Sequence, residues 1–253
     1  MNLEVFSKGD SLLHTLDPRV KLIGAIAFSV IVGTCHDKAT AVFALILGMI
    51  SVTVACLEVK ALVKRLFIIN GFILFLWFFL PFTSEGDILF SVGHLNVFSE
   101  GVENALLITL KSNAIALICI GLLATSPIPL IIYTLSCMRF PMKLVQLFSF
   151  GYRYLHLLHL EFHRLENALK VRCFLPGTNL HTYRTFAYFL ASLLLRSYDR
   201  SQRVYQAMLC RGFTGVYWMM DELVWRNSDT IGAIIILICI WGMAFLRWRT
   251  IFQ

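Results

Sequence analysis

Ala39-Thr-Ala-Val-Phe-Ala-Leu-Ile-Leu-Gly-Met-Ile-Ser-Val-Thr-Val-Ala-Cys-Leu57 runs through the chain without a single charged side chain. A helix needs about 20 predominantly apolar residues, roughly 17–25, to cross the hydrocarbon of a bilayer. Within lipid only a helix or a closed barrel satisfies its own backbone polar groups. This stretch therefore reads as a spanning helix, and similar ones lie on either side. Upstream, Asp17 can cap a helix that begins at Pro18 and stays apolar to Cys35, with Arg19 and Lys21 near enough to its start to snorkel. Downstream, Leu66–Phe82 is a third span, interrupted by Asn70-Gly71 and closed by Pro81. Ala105–Ala124 is a fourth, and its Lys111 must face protein or reach the interface. Thr230–Leu246 is the last.

The composition agrees. Hydrophobic residues make up 58% of the 253 and charged residues 15%, with a mean hydropathy of +0.75. A soluble domain carries about 25% charged residues, so this chain could not clothe an aqueous surface. The seven cysteines are odd in number, scattered and free of any Cys-x-x-Cys pair, which argues against a disulfide framework or a zinc site. The first sixteen residues hold no apolar core of a signal peptide.

Charge orients the spans. The net charge is +7, and basic residues gather on the cytoplasmic side of membrane proteins. Lys8, Arg19 and Lys21 flank the first span, and Lys60, Lys64 and Arg65 fill the connection between the second and third. Residues 83–104 hold Glu85, Asp87, Glu100 and Glu103 and no Lys or Arg. The N-terminus and residues 58–65 are thus expected inside, and residues 83–104 outside. The fourth span brings the chain back in near Ser126. Residues 126–229 then hold 12 of the 22 basic residues. Their apolar run Thr185–Leu195 is too short to span, although Phe186–Leu195 leaves open a share in a sixth span. The organisation expected is an all-α integral membrane protein with about five transmembrane helices. Residues 1–125 form an N-terminal membrane domain of four spans. Residues 126–229 form a cytoplasmic set of amphipathic helices, and residues 230–253 hold the last span and the C-terminus.

The basic region contains a repeat. Arg164-Leu-Glu-Asn-Ala-Leu-Lys-Val-Arg-Cys-Phe174 returns, 39 residues on, as Arg203-Val-Tyr-Gln-Ala-Met-Leu-Cys-Arg-Gly-Phe213. In each copy apolar positions fall at i, i+3 and i+4 of one helical face, which ends on an arginine. Gly212 is the expected C-cap of the second copy, and Pro176-Gly177 stops the chain after the first. An arginine there also complements the negative end of the helix dipole. Two similar helix ends on an unsymmetric chain suit a partner built of two similar subunits.

These helix ends, with Leu16-Asp-Pro-Arg-Val-Lys-Leu22 and Tyr152-Arg-Tyr-Leu155, resemble the transmembrane T component of energy-coupling factor (ECF) transporters. His181-Thr-Tyr-Arg184, Arg196-Ser-Tyr-Asp199 and Ala207-Met-Leu-Cys-Arg-Gly-Phe213 are similar to its cobalt-transport branch, the CbiQ type. The resemblance covers nearly the whole chain. It implies a subunit that is not an enzyme, set in the inner (plasma) membrane of a prokaryote. It also implies two cytoplasmic ABC-type ATPases as partners, which bind the ATP, and a substrate-binding S component in the same membrane. The cargo implied is cobalt, with nickel or a vitamin as alternatives. The family's Ala-Arg-Gly docking motifs carry over to Val171-Arg172-Cys173 and Cys210-Arg211-Gly212, as ATPase-docking residues.

Other polar residues read as structural. His156, His159 and His163 invite a metal reading, since His159 and His163 stand at i and i+4. Beside coupling elements they are read as packing and interface residues, and the chain is expected to hold no metal and no cofactor of its own. Lys111 and Asn113 read as interhelical hydrogen-bonding groups, and Asp199 with Arg200 as a local ion-pair patch. No Gly-x-x-x-x-Gly-Lys-Ser/Thr loop and no His-Glu-x-x-His occurs, and the spans offer too few polar groups for an intramembrane enzyme.

Overall fold

The computed structural model describes residues 11–35, 37–83, 88–92, 95–138, 140–215 and 227–251. Lys8, Glu85, Asp87, Arg139 and Arg226, which entered the charge reading, lie outside the described residues. Among those described the chain is helical, with one short hairpin. The order is α1 (Leu12–Thr15), α2 (Pro18–Thr34), α3 (Lys38–Val54), α4 (Val59–Thr83), the antiparallel pair β1 (Ile88–Val92) and β2 (Leu95–Phe98), and α5 (Ser99–Ile118), which a π turn, Cys119–Leu123, prolongs. Then come α6 (Ile128–Cys137), α7 (Met142–Val171), α8 (Leu180–Cys210) and α9 (Asn227–Ile251). Val59–Pro81 in α4 and Ser99–Leu123 in α5 with its π turn are the described helices long and apolar enough to cross a membrane. Lys38–Val54, Ile128–Cys137 and Asp229–Met243 are shorter apolar helices, and Phe186–Leu195 lies within the 31-residue α8.

Several boundaries follow from local chemistry. Asp17 caps α2, its carboxylate accepting from the Arg19 backbone N–H at 2.8 Å, and Pro18 occupies the first helical position. Asn70-Gly71 does not interrupt α4, and Pro81 lies inside it, two residues short of its end. The asparagine is held by a partner helix, and neighbouring helices are what let such breakers persist in an apolar segment. Pro127 and Pro129 fall just before α6 and in its first turn, where an N–H is surplus anyway, so they do not prevent the helix.

The chain divides into two compact units, Met1–Thr134 with Leu223–Gln253, and Leu135–Glu222. In the first, the core gathers Ala25, Phe28 and Val32 of α2, Ala44 of α3, Ala114 and Ile118 of α5, Leu122 of the π turn and Met243 of α9. Small residues let these helices approach closely. A Cβ on Gly48 of α3 would lie 3.0 Å from Leu117 Cβ and 3.3 Å from the Ala114 carbonyl of α5. Outward, α4 shows Phe67, Ile68, Phe72, Leu74, Phe75 and Phe78 to its surroundings, an apolar face that water would not tolerate and acyl chains would.

In the second unit α7 and α8 form a hairpin of two long helices. Phe162 packs edge-on to Phe189 with centroids 5.1 Å apart, and Phe174 to Phe186 at 5.9 Å. At the other end of the pair, Gln146 Nε2 donates to the Gly215 carbonyl at 3.3 Å. Contacts at both ends and in the middle make the pair antiparallel.

Candidate functional site: two arginine-ended helices

The two copies of the repeat end in the same backbone structure. Helix α7 closes with Arg172 as its C-cap, Cys173 at φ 54° and Phe174 beyond. The Phe174 N–H donates to the Leu169 carbonyl at 3.2 Å and the Cys173 N–H to the Lys170 carbonyl at 3.0 Å. Helix α8 closes with Arg211 as its C-cap, Gly212 at φ 78° and Phe213 beyond. Here the Phe213 N–H donates to the Met208 carbonyl at 3.1 Å and the Gly212 N–H to the Leu209 carbonyl at 2.9 Å. Both are Schellman endings, with a left-handed residue after the cap and an apolar residue after that. The 39-residue repeat is therefore a repeat of helix termination as well as of side chains. One expectation is corrected: Pro176-Gly177 does not stop the first copy, which ends earlier, on Cys173 in the conformation that usually demands glycine.

Because α7 and α8 are antiparallel, these two ends lie at opposite ends of the hairpin. With 31 residues in α8 and 1.5 Å of rise for each, they are about 45 Å apart. Val171, Arg172 and Cys173 are exposed at one end, and Cys210, Arg211 and Gly212 at the other. Neither guanidinium has a hydrogen-bond or ion-pair partner among the described residues, so each presents its full planar set of donors outward. The first arginines of the two copies differ. Arg164 bonds Glu161 at 3.3 Å, whereas Arg203 lines a groove of about 700 Å³ between the helices, with Phe150, Tyr154, Met208 and Phe213 among its walls.

Glu161 of α7 clasps the hairpin, since it also accepts from Arg196 of α8. Those two arginines, Arg196 foremost, hold its carboxyl below the usual carboxylate range. Glu166 is held low as well, by Lys170 at 2.7 Å and by His163 at 3.0 Å. The expected Asp199–Arg200 pair is not formed among the described residues. Arg196, on the same stretch, reaches across to α7 because a carboxylate already bonded to Arg164 waits there.

The first unit holds a polar cluster that the sequence reading missed. Lys21 does not snorkel outward; its side chain is 1% exposed, and Nζ donates to Ser126 Oγ at 2.9 Å. Asp17 and Asp229, both buried, supply opposing charge. The Asp17 N–H donates to Asp229 Oδ1 at 2.9 Å, which ties the start of α2 to the start of α9. The signal was an isolated acid opening the last apolar run, Asp229, beside a lysine three residues inside the first. Elsewhere, Asn113 of α5 and Asn70 of α4 exchange amide hydrogen bonds at 3.1 and 2.9 Å, and Trp77 Nε1 donates to Thr109 Oγ1 at 2.9 Å. Asn113 thus has the interhelical role expected of it. Lys111 is half-buried. Among the described residues no group of three or more His, Cys, Asp and Glu is arranged to hold a metal ion.

A family model described as cobalt transport protein, CbiQ, matches residues 9–220, a range that contains both arginine ends and the Lys21 segment. The energy-coupling factor transporter transmembrane protein EcfT of Bacillus subtilis (strain 168) is 28% identical over 255 residues, covering 94% of this chain and 95% of its own. EcfT of Lactococcus lactis subsp. cremoris (strain MG1363) is 26% identical over 257 residues, with 96% of each chain covered. EcfT of Staphylococcus aureus (strain 04-02981) is 26% identical over 241 residues, with 90% of each covered.

Proposed function

The chain belongs to the CbiQ family of cobalt transport proteins, and from that premise we propose that it is the energy-coupling T component of an ECF transporter. It is a membrane-embedded transporter subunit and leaves ATP binding and hydrolysis to two cytoplasmic ABC-type ATPases. A third partner, the S component, binds the cargo. The observation that carries this reading is the pair of matched Schellman ends at opposite ends of one hairpin, each with an exposed arginine that has no partner among the described residues. Each end docks on one ATPase: Val171-Arg172-Cys173 on the first and Cys210-Arg211-Gly212 on the second. A span of about 45 Å keeps the two sites on separate subunits, and the antiparallel pair transmits displacement of either end to the other.

The T component sits in the inner (plasma) membrane of a prokaryote. Five spans cross it, in α2, α3, α4, α5 and α9, with α7 and α8 on the cytoplasmic side. The cargo is a divalent metal, cobalt or nickel, a reading supported by the description of the family. A second reading, a vitamin or another micronutrient, is favoured by the relatives, whose names specify energy coupling and no metal. The chain needs no cofactor of its own for coupling. The test is copurification followed by transport: the tagged chain should bring down an ATP-hydrolysing partner and an S component, and vesicles holding the assembly should take up Co²⁺ only with ATP inside reach of the ATPases. A chain that purifies alone from its native membrane overturns the coupling reading. Uptake of a vitamin with no Co²⁺ uptake selects the second.

A further inference from the structure

His159 and His163 stand one turn apart on α7, and their rings meet edge to face with centroids 4.4 Å apart. The two Nε2 atoms face each other at 3.1 Å. The other nitrogen of His163, Nδ1, lies 3.0 Å from Glu166 Oε2. A neutral His163 therefore carries its proton on Nδ1, donated to the carboxylate, and leaves Nε2 as a lone pair facing His159. Two imidazole nitrogens that share one ion at about 2.1 Å, with an angle between 90° and 109°, are separated by about 3.0–3.4 Å. The observed spacing falls in that range before any ion is present. The carboxylate behind His163 is the support that metal-bound histidines ordinarily have. Of the neighbouring cations, Lys170 is paired with Glu166, and Arg164 shares Glu161 with Arg196.

From this we propose that His159 and His163 form a two-histidine site for one late first-row divalent ion of the Co²⁺, Ni²⁺, Cu²⁺ or Zn²⁺ class. The ion replaces the hydrogen bond between the rings. His159 moves its proton from Nε2 to Nδ1, both Nε2 lone pairs bind the ion, and water fills the remaining positions, because the protein supplies two ligands. Imidazole favours these ions over Mg²⁺ and Ca²⁺. His163 is exposed and His159 half-buried, so the site is open to ions from solution. An ion there staples two turns of the helix that ends at Arg172. The site rests on no step of the coupling reading and is distinct from cargo transport.

The experiment uses the purified full chain in detergent, carrying no polyhistidine tag and stripped with chelator. Calorimetric titration with Ni²⁺, and separately with Zn²⁺, should show one saturable site in each case. H159Q and H163Q should each abolish it, E166Q should weaken it by roughly tenfold, and H156Q should leave it unchanged. In the unaltered chain Ni²⁺ should protect His159 and His163, and not His156, from acylation by diethyl pyrocarbonate read by mass spectrometry. That readout needs no variant to fold. No saturable binding to the unaltered chain, binding that survives in the H159Q/H163Q double variant, or acylation indifferent to Ni²⁺ would each overturn the proposal. ATPase copurification can fail or succeed without touching any of these results.

Discussion

Cys173 and Gly212 hold the same backbone position, one residue past the capping arginines of α7 and α8, with φ of 54° and 78°. An L-residue with a Cβ is strained there by about 1–2 kcal/mol, and glycine is not. The two ends nevertheless make the same pair of backbone hydrogen bonds, so the first copy tolerates the strain to keep its arginine presented. Cys173→Gly should therefore stabilise the hairpin by about 1 kcal/mol, and Gly212→Ala should destabilise it by a similar amount. Nothing lies within 4 Å of a Cβ built on Gly212, so the cost there is backbone strain alone. Thermal unfolding of the detergent-solubilised chain checks both, and opposite signs for the two substitutions are the expected outcome.

Lys21 predicts a larger effect. Lys21 is the buried positive charge offset by Asp17 and Asp229, and removing it takes away that compensation together with the bond to Ser126. Lys21→Met should therefore loosen the junction of α2 with α9 by more than the loss of one hydrogen bond. Ser126→Ala removes one hydrogen bond to a charged group and should cost about 1.5–3 kcal/mol. The ordering Lys21→Met worse than Ser126→Ala, in unfolding temperature, is the measurement. The reverse order would mean that the serine acts through packing.

Which features were legible in the sequence follows from the range over which each is determined. The cap at Asp17, the start of α2 at Pro18 and the two arginine ends depend on neighbours within a few residues, and periodicity and cap chemistry expose them. The fate of Lys21 depends on Ser126 and Asp229, more than a hundred residues away, so a snorkelling side chain and a buried one looked alike. The same holds for Arg196, whose partner Glu161 lies on another helix, while the sequence suggested only a local pairing of Asp199 with Arg200. Asn70-Gly71 reads as a breaker in isolation, and the amide exchange with Asn113 is what lets α4 continue. Cys173 is the opposite case, a local ending hidden because the expected glycine is absent.

The Glu161 clasp should respond to acid. Its carboxyl is held below the ordinary range when α7 and α8 are paired. A depressed folded value means that the stabilisation is fully present above the ordinary glutamate range and is lost as pH falls through the folded value. The unfolding temperature of the parent relative to Glu161→Gln should be constant near neutrality and should shrink below about pH 4.3, the unperturbed glutamate value. A difference that grows on acidification would show that Arg196 and Arg164 do not act through the charged carboxylate.

The arginine ends carry the last prediction. Each guanidinium is exposed and unengaged within the described residues, on a helix end whose backbone is already fixed by its Schellman bonds. Docking therefore orders little beyond the side chain itself. A charge-assisted hydrogen bond contributes about 1.5–3 kcal/mol, so Arg172→Ala or Arg211→Ala should each weaken ATPase association by about one to two decades. Because the two endings share one geometry, the two losses should be of similar size. Lysine at either site should recover only part of the loss, since it keeps the charge and lacks the planar fork. The double alanine variant should still purify as a folded membrane protein, because neither arginine bonds anything within the described residues. It should no longer retain the ATPases or support ATP-driven uptake. ATPase copurification and uptake across the single, double and lysine variants check this, and full uptake by the double variant would remove the arginines from coupling altogether.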